Sequence, residues 1–314
     1  MALQERRISS LKYSLRQRNE SLELLVIMSP VLIHILIFCI IPLFGIVIAF
    51  QDYRPGSPFI AFDGSVKWVG LKHLINFVNG PYFIRLLRNT LVLSGSFLVF
   101  GFSIPIIFAL LVNELQIGPF KKIIQTTSYL PYFISNVIVG GIVLNLISTN
   151  GVVNQFMLAF GGKAIPFAAK STYFPFIYTI TNIWKSYGWN SILYLAAMSA
   201  IDSSLYEAAR MDGANRFQQM RHITIPGIKP TIVLLLIFSI GALMSSNTEM
   251  ILLLYNPQVY DAADVFGTYV YRGGLLEGQF SFGSAINLFS TVINFMLIIL
   301  ANAISRRFTD HSIW

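Results

Sequence analysis

The chain has 314 residues, of which 55% are hydrophobic and 11% charged, against about 25% charged in a typical soluble domain. With a mean hydropathy of +0.65, this excludes an ordinary soluble protein and points to the lipid bilayer as solvent. The net charge of +8 would suit nucleic acid only with a basic face of interleaved aromatics, and the basic residues here cluster between apolar runs instead.

In chain order, residues 1–20 come first as a basic arm. Ile8, Leu11 and Leu15 recur at helical spacing among Arg7, Lys12, Arg16 and Arg18. This fits a short amphipathic helix on the inner membrane surface; the alternative is a disordered tail that only fixes topology. A helix needs about 20 mostly apolar residues to span hydrocarbon. Six segments qualify, at 22–50, 86–114, 123–147, 173–200, 227–253 and 284–305. The first is too long for a removable signal peptide and reads as a retained helix. The single Cys39 lies within it and reads as a small buried side chain; His34, alone on this apolar helix, reads as buried and hydrogen-bonded or as facing a neighbouring subunit. The fourth segment is the most polar, with Asn182, Lys185 and Asn190. Turn-rich loops at 51–84, 148–172 and 254–283 are expected to carry short surface helices.

The basic residues orient the bundle. With the N-terminus in the cytoplasm, thirteen of the 22 Lys and Arg fall on the inside and six on the outside; Arg85, Arg88 and Lys185 lie at or within helices. Both termini, including the 306–314 tail, are then cytoplasmic, and so is the loop at 201–226. The expected fold is all-α, a membrane domain over 21–305 with its core at 85–305.

That loop is the most specific stretch of the chain. Ser204-Leu205-Tyr206-Glu207 matches a capping box. Ala208, Ala209 and Met211 favour helix, and Gly213 suits the left-handed residue that ends one. A second short helix is expected from Asn215 over Arg216 to His222, with Pro226 where the chain turns into the fifth span. Two short helices on a glycine hinge make a rigid lever; the alternative is an ordinary helical hairpin between spans.

Glu207-Ala208-Ala209, then Gly213, then Ile223 and Pro226 stand at the offsets of a known loop. They resemble the loop by which permease subunits of ABC importers are gripped by their ATPase; only Ile225 departs, where Leu is commoner. The segment Pro81 to Thr90 is similar to the start of the second helix in carbohydrate-type permeases. Leu111 to Leu115, Phe120-Lys121-Lys122, Tyr129-Leu130-Pro131, Leu253 to Pro257, Thr268 to Arg272 and Ser312-Ile313-Trp314 resemble the subgroup handling oligosaccharides and polysaccharides. That subgroup includes a permease of the bacterial alginate importer. The resemblance implies a type I importer fold in a bacterial inner membrane. It also implies a second permease subunit forming a heterodimer, two ATPase subunits that carry ATP and Mg, and an extracytoplasmic solute-binding protein. Glu207, Ala208, Ala209, Asp212, Gly213 and Arg216 would meet the ATPase.

Polar residues in a span usually face a cavity or a partner helix. Ser245, Ser246, Asn247, Thr248 and Glu249 are the densest such cluster, and they depart from the aromatic-acidic-Gln pattern of relatives. They read as cavity lining, or as close helix packing. Trp184, Lys185, Tyr187, Trp189 and Asn190 form a second cluster, on the fourth segment. Lys185 would suit an anionic sugar such as a uronate; the alternative is a structural ion pair, with Glu249 as partner. No phosphate-binding loop, metal-ligand spacing or catalytic set is present in the sequence, so no enzyme activity or cofactor is expected in this chain. A same-family permease for a non-sugar solute is the nearest rival. An ion-coupled carrier is another, but no inverted halves or carboxylate chains support it.

Overall fold

The computed structural model describes residues 22–58, 66–115 and 118–308. The 1–20 arm and most of the 306–314 tail lie outside them. The all-α expectation holds: among the described residues only an isolated bridge joins Gln51 to Trp68, with no strand.

The first helix, α1 (Leu22–Phe50), is apolar apart from Glu23, Ser29 and His34. Most of it is exposed, and only Ile48 and Ala49 at its end are buried, where it packs on the last helix. Cys39, expected to be buried, is exposed; His34 is exposed too, which leaves the second of its two readings, and nothing among the described residues covers that part of α1. The short α2 (Lys72–Val78) delivers Phe77 into an aromatic cluster with Phe83, Phe266 and Phe289, at centroid distances of 5.3, 5.6 and 5.6 Å. The second span, α3 (Phe83–Asn113), contains a π-helical turn at Phe97–Gly101.

The expected third span, 123–147, is not one helix. α4 (Gly118–Tyr129) tightens into a 3-10 turn at Leu130–Phe133 and stops. α5 (Asn136–Ile147) then starts afresh, with Ser135 accepting from the Ile138 N–H at 3.3 Å. Pro131 donates no N–H to an α-helical ladder and sits in the first turn of the 3-10 segment; the chain turns extended at Ile134. α6 (Val152–Ala159) follows in the next loop.

The fourth segment is α7 (Phe174–Ser199), 26 residues and therefore ~39 Å long. It lies at the centre of the bundle, touching α3, α4 and the span that follows. Its approach to α4 depends on Gly188, where a Cβ would collide with the Ser128 carbonyl. The loop helix α8 (Ser203–Met211) leads into α9 (Arg216–Gly241). Two expectations fail here. The short second loop helix does not end before the membrane, because the chain runs straight through a π-helical turn at Met220–Thr224 into the span. The expected 227–253 span, in turn, stops at Gly241, crosses a non-helical 242–247, and resumes as α10 (Thr248–Leu254). α11 (Tyr260–Ala263), α12 (residues 266–276) and the long α13 (Phe280–Phe308) complete the chain.

Two buried clusters at the far end join α3, α5, α7 and α10 around Leu93, Tyr178 and Ile251, and α2, α3 and α13 around Phe77, Leu86 and Ile286. A third, at the α8 end, joins α3, α7 and α9 around Ala109, Tyr194 and Ile228.

The far end is also cross-linked by charge. Asp264 is fully buried and receives Arg272 at 2.8 Å, Arg85 at 3.1 Å and the Thr268 hydroxyl at 2.7 Å. Asn89 donates to the carbonyls of Asp261 and Asp264, both at 2.9 Å. This ties the start of α3 to the turn between α11 and α12. Removing one member of a buried charge group strands the others, less so when they are partly wet. Asp264→Ala should therefore lower stability by about 2–3 kcal/mol. Asp261→Ala should change it little, since that side chain is 73% exposed; thermal unfolding in detergent measures both.

Candidate functional site

A cavity of about 770 Å³ lies between α3, α7 and α9, within the roughly 300–1,000 Å³ usual for small-molecule sites. α7 presents one face to it, with Tyr178, Asn182, Lys185, Ser186, Asn190 and Leu193 at spacings of three and four. α3 contributes its π-helical turn through Phe97 and Gly101. The break between α9 and α10 contributes Ser245, Ser246 and Asn247, and the break before α5 adds Tyr132 and Asn136. Two of the four walls are thus places where a membrane helix is interrupted. Free backbone groups are tolerated in lipid only where they line a cavity or find partners.

The 242–247 break is held by side chains. The Met244 N–H donates to Asn294 Oδ1 on α13 at 2.9 Å, and Asn294 Nδ2 donates to the Ser245 hydroxyl at 2.9 Å. The Asn247 N–H donates to the Tyr178 hydroxyl at 2.9 Å, and its Nδ2 donates to Asn182 Oδ1 at 2.8 Å. Asn247 Oδ1 caps α10 by accepting from the Met250 N–H at 3.2 Å.

Of the eight residues expected on a substrate path, the structure brings Lys185, Asn190, Ser245 and Asn247 to the cavity wall. Asn247 is committed to the three contacts above, so its part is to fix the break. The other four stand outside the wall. Trp184 is exposed. Trp189 stacks on Tyr132 at 4.6 Å, nearly parallel at 4°. Thr248 fills the space where Gly267 has no side chain. Glu249 accepts from Asn136 Nδ2. The expected Lys185–Glu249 ion pair is not formed. Lys185 donates to the Tyr132 carbonyl at 3.1 Å, and the helix break moves Glu249 onto α10 beside α5. Sequence reasoning missed Tyr132, Asn136, Tyr178 and Asn182 as wall residues. Pro131 followed by Ser135-Asn136 was a readable stop-and-start signal; nothing marked Tyr178.

The loop between α7 and α9 is built differently from the capping-box expectation. Asp202, not Ser204, caps α8, accepting from the Ser204 N–H at 2.9 Å. That amide, with the Ser204 side chain, holds the Asp202 carboxyl below its ordinary value. A depressed carboxylate contributes fully at neutral pH, and its cap fades as pH falls through that lowered value. Glu207 and Ala208 are exposed and Ala209 is half-buried. Gly213 has φ +77°. The Ala214 N–H bonds Ala209 at 2.9 Å and the Gly213 N–H bonds Arg210 at 3.1 Å, the pairing of a Schellman stop. Asp212 is the last residue before that turn. Asn215 and Gln218 form a reciprocal capping box that starts α9, as expected for Asn215.

Two contacts tie the loop to the bundle. The Tyr206 and Thr224 hydroxyls meet at 2.9 Å, with Thr224 1% exposed. Arg216 reaches the Glu114 carbonyl at the end of α3, at a long 3.5 Å. The loop exposes three large apolar side chains: Leu205, Phe217 and Met211 are 53%, 63% and 89% exposed.

A polytopic helical bundle around a central cavity lined by both polar and apolar side chains, with a helical loop tied to one of the cavity's walls, is the architecture of a membrane transport subunit. The chain belongs to the family described as binding-protein-dependent transport system inner membrane component, which matches residues 101–310. It is a permease subunit, the membrane component of a transport system. It is 44% identical over 286 residues to the polygalacturonan/rhamnogalacturonan transport system permease protein YteP of Bacillus subtilis (strain 168), covering 91% of this chain and 88% of that one. It is 40% identical over 299 residues to protein LplB of the same organism, covering 95% and 92%. It also superimposes, with a TM-score of 0.84 and 38% identity, on a chain of a bacterial ABC transporter that imports the acidic polysaccharide alginate, covering 94% and 98%. The same TM-score and identity hold for a chain of the bacterial alginate ABC transporter in complex with its alginate pentasaccharide-bound periplasmic protein.

A side chain at a left-handed position is strained by about 1–2 kcal/mol. Gly213→Ala should therefore raise local opening of 203–215 at least about fivefold while leaving global unfolding almost unchanged; amide hydrogen exchange measures both.

Proposed function

We propose that this chain is one of two transmembrane subunits of an ATP-driven importer of oligosaccharides or polysaccharides, working by alternating access. The observation that carries the reading is the unbroken helix α9. It begins at the exposed loop and ends at the cavity's interrupted wall, Arg216–Gly241. A push at one end reaches the other along one helix, through its π-helical turn at Met220–Thr224.

Each end has a partner. The exposed Leu205, Met211 and Phe217, with Glu207, Ala208, Ala209, Asp212, Gly213 and Arg216, form the face that one of two ATPase subunits grips; ATP and Mg belong to those subunits. The Tyr206–Thr224 and Asn215–Gln218 contacts join that face to α9. A loaded solute-binding protein docks at the opposite end, where the Asp264 network stiffens the outer loops. The largely uncovered α1 lies against the second permease. The basic-residue count supports a cytoplasmic loop and cytoplasmic termini.

For the cargo, support comes from the polysaccharide named for the YteP relative and for the alginate importer. The cavity suits a sugar as well. Its wall alternates hydrogen-bonding groups (Asn190, Ser186, Ser245) with the aromatic rings of Tyr132 and Tyr178. No chemistry is required of this chain, only two arrangements of the same helices with different exposure of the cavity.

The test is uptake of labelled oligosaccharides into proteoliposomes holding the whole transporter with its binding protein. Uptake should require ATP and fall at least about tenfold (1.4 kcal/mol of coupling) in Glu207→Lys. Uptake without ATP, or undiminished in the variant, would sink the proposal.

A further inference from the structure

Resting on the oligosaccharide reading, we propose that Lys185 makes the cavity selective for acidic sugars, its ammonium meeting a uronate carboxylate of the passing chain. Lys185 is the one formally charged residue in the cavity wall among the described residues. Its side chain has no carboxylate partner among them: it donates to the Tyr132 carbonyl at 3.1 Å and stands over the Tyr132 ring, 5.5 Å from the centroid. An ammonium has three protons to donate, so one is occupied by the protein and two are left for a ligand. The acidic group that would have made it a structural pair, Glu249, is held by Asn136 on α5.

An unpaired cation inside a membrane bundle is expensive, and such groups mark ion and substrate pathways. Several features hold this one in place. The Tyr132 carbonyl belongs to the 3-10 turn at Leu130–Phe133, fixed by Pro131 and by the parallel Tyr132–Trp189 stack. On α7, Ser186 and Asn190 flank Lys185 on the same cavity face, within reach of the hydroxyls of the sugar unit whose carboxylate it binds. Between low-dielectric walls a lysine–carboxylate contact is screened less than on an open surface. One positive charge without a negative neighbour gives a sign preference: an anionic unit neutralises the site, and a neutral one leaves it charged.

The experiment measures equilibrium binding to the nucleotide-free whole transporter in detergent, without binding protein, so that the binding protein's own selectivity does not enter. The probes are trigalacturonate and the neutral trisaccharide made by reducing its carboxyl groups. Wild type should bind the acidic probe at least about tenfold tighter, with the preference shrinking as salt rises. Lys185→Gln should bind both equally, at the wild-type affinity for the neutral probe, and Lys185→Arg should restore the preference. A preference that survives Lys185→Gln, or an equal loss of both probes, would overturn the proposal and make Lys185 a structural anchor of the Tyr132 turn. Equal binding of both probes by wild type would also overturn it while leaving oligosaccharide import intact. Binding of neither would refute the oligosaccharide reading on which it rests.

Discussion

The constraint on which the rest depends is backbone hydrogen bonding in an apolar solvent. In lipid an unpaired N–H or C=O costs several kcal/mol, so a spanning chain stays helical unless something else satisfies it. This chain leaves the helix twice inside the bundle, at Leu130–Ser135 and at 242–247, and both breaks border the same cavity. Each is capped by a side chain of its own: Ser135 for α5 and Asn247 for α10. Asn294 serves the amide of Met244 from a different helix. The cavity and the breaks are therefore one construction, since interrupting the helices is what brings a turn carbonyl and a row of short polar side chains to the wall.

Prolines shape the remaining helices by a second rule. Proline removes one N–H and crowds the carbonyl four residues earlier. For Pro42, Pro105 and Pro226 that earlier residue is Phe38, Gly101 or His222, and each lies inside a π-helical turn, at Leu36–Ile40, Phe97–Gly101 and Met220–Thr224. The turn widens where the ring would clash, and the helix continues. This is why Pro226 does not turn the chain, as the sequence suggested. The consequence is mechanical: α8 acts on one continuous rod instead of on a jointed pair.

The membrane class, the approximate spans, the left-handed Gly213 and the start of a helix at Asn215 were legible because each is encoded within a few residues. The breaks were half legible. The run Ser245 to Glu249 stood out as polar, yet hydropathy cannot tell a polar helix face from a helix that has stopped. The partner of Lys185 was not legible at all, because it is a backbone carbonyl 53 residues away in a turn read as continuous helix. The Asp264 network was invisible for the same reason: Arg85 lies 179 residues from it, and no local pattern announces a contact at that distance.

On the proposed function, drive and selectivity fall on different helices that meet at one cavity. The loop acts through α9, whose far end is the break at 242–247. Lys185 sits on α7, held by the turn before α5. The two meet at Asn247, which bonds Tyr178 and Asn182 on α7 while capping α10. A tilt of α9 is transmitted to α7 by two routes: those bonds at one end, and the buried cluster of Ala109, Tyr194 and Ile228 at the other. Breaking the bonds would strand polar groups in a partly buried wall, whereas the backbone at 242–247, already non-helical, bends without losing a helical hydrogen bond.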